Sequence, residues 1–280
     1  MKLRGRGMVR SMSRRELMLL GITGSFGAIA GRVTSAQPAL SQNQTGESVK
    51  ALTFDIFGTV VDWRGSIIRE GELLSETHSF SVNWGEFADQ WRGGYGPLIS
   101  KVRAGELPWT NIDDIHRMRL DELIREFGLT GLSEIEKENF NKAWHRLTPW
   151  PDAVGGLSRL KEKFIIATLS NGNISLLTNM AKNAGLPWDV VLSAELAERY
   201  KPDPEAYLTA VDLLDLEPQE VMMVATHPSD LRAAARVGLR TAYVIRPLER
   251  GPNPIIDTSV AGDFDHTATD FFDLAVQLGV

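Results

Sequence analysis

Cysteine is absent from all 280 residues, which excludes both disulfide staples and thiolate chemistry. Positive charge is in short supply: 30 Lys and Arg stand against 36 Asp and Glu, so nucleic acid is not a default partner. The apolar stretch at residues 17–30 falls short of the ~20 residues that a membrane span needs, and Gly21, Gly24 and Gly27 dilute it further. Metal-ligand spacing is also missing: His78, His116, His145 and His266 read as surface or satisfied core side chains. What the chain has in quantity is apolar surface, at 43% hydrophobic content, enough for a full core plus an insertion and against disorder as the default.

The stretch SRRELMLLGITGSFGAIAGRVTSAQ reads as a basic region, a moderately apolar core and a small-residue cleavage site. Arg14 and Arg15, followed by Glu16, Leu17 and Met18, resemble a twin-arginine export signal, with Thr34 and Ala36 as the small residues. The expectation is a signal peptide over residues 1–36, export of a folded protein to the periplasm or beyond, and no stable membrane insertion after its removal. The signal holds seven basic residues and one acid, so the remaining chain carries about −12 and its affinity for an anion must come from local cations. Residues 37–49 are polar and turn-rich, as a linker would be.

Two textures follow. Residues 65–148 carry apolar side chains at helical spacing in REGELLSE, WGEFADQWRGGYGPLISKVRAG, NIDDIHRMRLDELIREFG and SEIEKENFNKAWHRLT. From Phe164 onward, short runs (FIIATLS, DVVLSAE, EVMMVAT, RTAYVIR) alternate with helical stretches and are apolar on both faces. This pattern predicts an α/β fold: a Rossmann-like parallel sheet core over residues 50–64 and 149–280, with an all-helical cap domain inserted at 65–148. In such sheets ligands sit outside the carboxyl ends of the strands. The candidate strand ends carry Asp55, then Ser170 and Asn171, then Lys201, then His227 and Asp230.

A carboxylate at a strand end can act as a nucleophile and split one displacement into two easier steps, and a nearby lysine keeps it ionised. Asp55 with Phe57-Gly58-Thr59, Ser170 and Asn171 in TLSNGN, and Lys201 in YKPDPEAY resemble the first three motifs of the haloacid dehalogenase superfamily. The resemblance runs from residue 50 to about 247, and its details are most similar to the L-2-haloacid dehalogenases. It implies Asp55 as nucleophile, Lys201 as its cation and Thr59 as a hydrogen-bonding support. It also implies Arg92 as halide receiver, Asn171 as second halide contact, Ser170 at the substrate carboxylate, Tyr207 near the site and Asp230 as water activator. The implied substrate is a small halogenated carboxylic acid, and relatives of this kind often form homodimers.

Phe57 stands where phosphatases of the superfamily place a second acid to protonate a leaving alkoxide, which a departing halide does not need. The fourth motif reads Val224-Ala225-Thr226-His227-Pro228-Ser229-Asp230 and lacks the paired acids of a magnesium site, so no metal and no cofactor are expected. Ala225 and His227 replace the Ser and Asn usual in the resembled enzymes, and His227 is a candidate base near neutral pH. Blander roles exist for each residue: Ser170 as a cap, Tyr207 as packing, Arg92 as a solvated helix arginine, and Trp63, Trp91, Trp109 and Trp150 as core. Two other readings stand beside the dehalogenase: a phosphatase that lost its second acid, and a catalytically idle binder of small carboxylates.

Overall fold

The computed structural model describes residues 48–253, 260 and 262–280; the expected signal peptide and nearly all of the expected linker lie outside them. Among the described residues the strands are β1 (Ala51–Phe54), β2 (Val61–Asp62), β3 (Thr148–Pro149), β4 (Ile165–Ser170), β5 (Val190–Ser193), β6 (Val221–Ala225), β7 (Arg240–Val244) and β8 (His266–Ala268). The α-helices are α1 (Trp63–His78), α2 (Trp84–Arg103), α3 (Ile112–Glu126), α4 (Glu134–Asn141), α5 (Ala153–Lys161), α6 (Ile174–Ala184), α7 (Pro204–Leu213), α8 (Pro228–Arg236) and α9 (Phe271–Gln277).

Six strands form one parallel sheet in the order β5-β4-β1-β6-β7-β8. The central strands are apolar throughout because both faces are covered. In β6, Met222 and Val224 enter one core while Val221, Met223 and Ala225 enter the other, and in β1 Leu52 and Phe54 are divided from Ala51 in the same way. Each fully buried aliphatic side chain of this kind is worth about 1.5–3 kcal/mol of burial. The chain leaves β1 for β4 on one side and later returns to β6 on the other. A crevice therefore opens at the carboxyl end of β1, the switch point where ligands bind in open α/β sheets.

The helical insertion is pinned at its base by the antiparallel pair β2 and β3, which joins the two chain crossings. Its helices begin on side chains that satisfy the free N–H groups of a first turn. Asp62, Asn83 and Asn111 cap α1, α2 and α3, and Ser133 with Glu136 forms a capping box on α4. A continuous α2 is the least expected of them, since Gly93, Gly94, Gly96 and Pro97 fall inside it. Tertiary packing outweighs that propensity. Phe87 and Trp91 are fully buried, and a Cβ on Gly94 would stand 2.5 Å from the Arg119 side chain of α3, so glycine allows the two helices their close approach. The insertion shares one apolar core with the sheet, with Phe57 against Trp144 at 5.8 Å and Trp109 against Tyr200 at 4.7 Å, and polar ties add to it: Arg103 to Asp203, the Tyr200 hydroxyl to the Thr110 carbonyl, and Asn173 Nδ2 to Asp113 Oδ2 at 3.0 Å. Among the described residues no helix is long and apolar enough to cross a membrane.

Candidate active site

Strand β1 ends where Asp55 begins, its backbone N–H still bonded to the Val224 carbonyl at 3.0 Å, so the carboxylate projects from the sheet edge on a fixed backbone. Gly58, at φ +90°, then reverses the chain and brings Thr59 back beside Asp55. The Thr59 hydroxyl donates to Asp55 Oδ2 at 2.8 Å and accepts from the Thr226 N–H at 2.9 Å. Its hydrogen is thereby aimed at the carboxylate.

Lys201 lies on the other side. Its Nζ donates to Asp55 Oδ1 at 3.1 Å and to Asp230 Oδ2 at 2.6 Å, while the Tyr207 hydroxyl donates to Asp230 Oδ1 at 2.5 Å. One buried ammonium serves two carboxylates. Burial works against charge on Asp55, but Lys201, then His227 and Thr59, outweigh it and hold the carboxyl far below the usual carboxylate range. Lys201 is likewise raised: burial opposes its charge, and Asp230 and Asp55 together overcome that. The Tyr207 hydroxyl is pushed up by burial and by the adjacent Asp230, so it remains a donor.

The helical insertion contributes to the lining of the same pocket through α2. Arg92 on α2 makes no ion pair among the described residues; its guanidinium lies 4.4 Å from the Tyr95 ring centroid and 5.7 Å from that of Phe57. Two aromatic faces hold a cation that still has its hydrogen-bond donors to offer. Ser170 and Asn171 close the third side. Ser170 Oγ accepts from the Gly172 N–H at 3.1 Å, and Asn171 Oδ1 accepts from the Lys201 N–H at 2.8 Å, which ties the β4 end to the lysine loop. The structure thus brings Asp55, Arg92, Ser170, Asn171, Lys201, Tyr207, His227 and Asp230 to the lining of one cavity of about 180 Å³, with Thr59 directly behind Asp55. No tryptophan lines that cavity; Trp150 instead ties the Gly58 carbonyl at 2.8 Å, and Trp91 is core.

His227 differs from its sequence-based role. Its Nδ1 stands 3.0 Å from Asp55 Oδ2 and its Nε2 3.0 Å from Glu249 Oε1. Burial would lower its pKa, but hydrogen bonds to Asp55 and Glu249 push it up to about 9. A ring held as imidazolium has no lone pair to accept a proton, so the geometry makes His227 a donor, not a base. Glu249, in the loop after β7, carries no such signal in the sequence, because ERG in a polar loop looks like a solvated turn. Tyr95 goes unmarked there too, although it sits three residues from Arg92 on the same helix face.

His116 is likewise no satisfied core histidine: it is buried, and neither ring nitrogen has a hydrogen-bond partner among the described residues. It stacks on Trp144 at 4.1 Å, and burial first, then Arg92, lower its pKa to about 3, so it packs as a neutral ring.

The arrangement brings an ionised carboxylate, a cation shared with a second carboxylate, and a guanidinium without an ion pair among the described residues to the lining of one small pocket. It offers a hard divalent cation little: both Asp55 oxygens and both Asp230 oxygens already accept from protein donors, and Phe57 and Thr226 add no acid.

A family model described as haloacid dehalogenase-like hydrolase matches residues 49–238. Among curated proteins, (S)-2-haloacid dehalogenase 1 of Pseudomonas sp. (strain CBS-3) is 29% identical over 211 residues, spanning 71% of this chain and 86% of its own length. Among solved structures, the defluorinating L-2-haloacid dehalogenase Rha0230 is 45% identical with a TM-score of 0.80, covering 83% of this chain and 96% of that one. The L-2-haloacid dehalogenase PA0810 is also 45% identical, with a TM-score of 0.79, covering 82% and 99%.

Proposed function

This chain belongs to the haloacid dehalogenase-like hydrolase family, and we propose that it is a hydrolase of carbon–halogen bonds acting on short L-2-haloalkanoic acids. The observation that carries the reading is that an ionised Asp55 and an Arg92 clasped by Phe57 and Tyr95 line the same cavity of about 180 Å³. The names of the L-2-haloacid dehalogenases at 45% identity support it. So does the size of the cavity, well under the roughly 300–1,000 Å³ of pockets for drug-sized ligands.

In this reading Ser170 receives the substrate carboxylate, and Asp55 attacks C2 from the side opposite the halogen. The halide departs toward Arg92 and Asn171, and inversion at C2 sets up the D-2-hydroxy acid. Water assisted by Asp230 then hydrolyses the aspartyl ester. A halide leaves without a proton, so an apolar Phe57 costs the reaction nothing. Tyr207 and Lys201 hold Asp230 in place, and the engaged oxygens of both acids argue for catalysis without a metal. We also infer that the folded protein is exported, a reading supported by Arg14 and Arg15 in their basic-apolar-small setting. Retention in the cytoplasm of a chain with both arginines intact would remove it.

The experiment is halide release from L- and D-2-chloropropionate and from fluoroacetate in EDTA, beside an Asp55→Asn variant and a generic phosphate ester with magnesium. Release that persists in EDTA and vanishes with Asp55→Asn is the expected result. Phosphate release alone would replace the dehalogenase with a phosphatase.

A further inference from the structure

We propose that Glu249 is a positioning residue for ester hydrolysis: it fixes His227 with its Nδ1–H on Asp55 Oδ2, making the ring the donor that receives the oxyanion formed when water attacks the ester. The proposal rests on the Asp55-ester reading above and names the device that serves its second half.

The two oxygens of Asp55 are not equivalent. Among the described residues Oδ1 has one donor, Lys201 at 3.1 Å, whereas Oδ2 has two, Thr59 at 2.8 Å and His227 at 3.0 Å. The less encumbered Oδ1 is the one free to form the bond to C2 while the carbon–halogen bond breaks and the halide takes the electron pair. Oδ2 then becomes the carbonyl oxygen of the ester. When water adds to Cγ, its proton passes to Asp230 and the π electrons move onto Oδ2, between the two donors. Collapse restores the carbonyl and breaks the bond from Cγ to Oδ1. The product leaves with Oδ1 as its hydroxyl, taking the proton from Asp230, and the new Asp55 carboxyl loses its proton to solvent. Donors already aimed at the oxygen where charge develops need no reorganisation, which is the condition for effective oxyanion stabilisation.

Glu249 is what keeps His227 in that state. An ionised carboxylate only accepts, so a ring with a carboxylate on each nitrogen is satisfied only when both nitrogens carry hydrogen. Glu249 is itself held, with Trp63 Nε1 donating to the same Oε1 at 3.3 Å, and its side chain is only 11% exposed. The chain makes room for it at Gly58, where a Cβ would stand 2.5 Å from Glu249 Oε1. Glu249 lies beyond residues 49–238, the span that the family model matches. The other charges near His227 divide by sign. Lys201 across the pocket and Arg92 from α2 disfavour the imidazolium, with Arg246 and Arg250 of the β7 loop on the same side of the balance. Asp230, and Asp89 at the rim of the outer cleft, favour it. Among the described residues, the charged groups within ion-pair distance of the ring are Asp55 and Glu249.

The test compares wild type with Glu249→Gln by rapid quench, following halide release and the mass of Asp55-containing peptide. Expected for Glu249→Gln is a first-turnover halide burst within about threefold of wild type, ester accumulation, and turnover slowed by about 10- to 100-fold. Equal slowing of burst and turnover would overturn the proposal. Histidine NMR supplies a second measurement that does not depend on turnover, with the His227 signal identified by His227→Gln. Wild-type His227 should titrate near 9 and shift downward in Glu249→Gln, where, of the two carboxylates at the ring, Asp55 alone is left to favour the imidazolium. A wild-type value near ~6.5 overturns the proposal even if Glu249→Gln does not fold. Failure of the underlying reaction looks different: wild type itself would then give no Asp55 ester, and the proposal would fall with it.

Discussion

Replacing Lys201 with methionine removes a charge and keeps most of the side-chain volume, so it isolates what the ammonium does between Asp55 and Asp230. Two charge-assisted contacts disappear, at 3.1 and 2.6 Å, in a place where the lysine is 8% exposed and each aspartate 10%. Breaking a buried ion pair from one side costs about 3–5 kcal/mol, because the partners stay buried without compensation. Here the cost has a pH signature. Without Lys201 two neighbouring carboxylates can no longer both ionise cheaply, so one folded-state pKa rises above the unfolded value of ~3.9. A raised pKa contributes stability that is full below the unfolded value and lost as pH rises through the folded one. The wild type behaves oppositely, since its depressed Asp55 keeps the charged, stabilised form well into acid. Urea denaturation of both proteins should therefore give a difference of roughly 3–5 kcal/mol near neutral pH that shrinks by 1–2 kcal/mol near pH ~4.5. A difference below about 0.5 kcal/mol at neutral pH, or one that does not change with pH, would refute the shared-cation argument.

Arg246 donates to Asp152 at 2.7 and 2.9 Å and to the Thr59 carbonyl at 2.8 Å, so Arg246→Met should cost about 3–5 kcal/mol in denaturant unfolding and loosen the turn behind Asp55. Turnover should fall as pH rises through about 9, as His227 loses its second proton, and a kcat profile flat from neutral to about pH 10 would contradict that assignment. Its effect on stability has the same sign: the raised pKa makes the contribution full below ~6.5 and lost through about 9. Phe57→Asp should destabilise the protein by at least the ~3–5 kcal/mol of losing a buried phenylalanine and still fail to hydrolyse phosphate esters with magnesium; a gain of that activity would mean that one acid alone separates the two chemistries.

Strands β4, β6 and β7 were legible because runs apolar on both faces need cover on both faces, which a buried parallel sheet supplies, whereas β5 showed as an apolar run although it lies at the sheet edge with Val190 exposed. Their polar ends were legible for the same reason: Asp55, Ser170 and Asp230 interrupt or follow apolar runs where nothing in the core requires them. β8 was not, since three residues at a sheet edge, of which only Ala268 is buried, carry no pattern. Helix α5 was hidden by Gly155 and Gly156, yet a Cβ on Gly156 would stand 2.4 Å from Phe271 Cβ, so glycine belongs to the packing there. Arg92 stood among helix-weakening residues whose cost only the partners of α2 reveal. Glu249 was the least legible of the site residues. Its meaning comes from a ring 22 positions earlier, and a charged residue in a polar loop carries no local sign of burial.

The measurement that bears most directly on the account is a single turnover in ¹⁸O-labelled water with enzyme in excess over L-2-chloropropionate. If Asp55 forms the ester and water attacks its Cγ, the first product carries unlabelled oxygen and the label is found in the Asp55 peptide. Label in that first product, with none in Asp55, would mean that water attacks the substrate directly and that Asp55 is not the nucleophile.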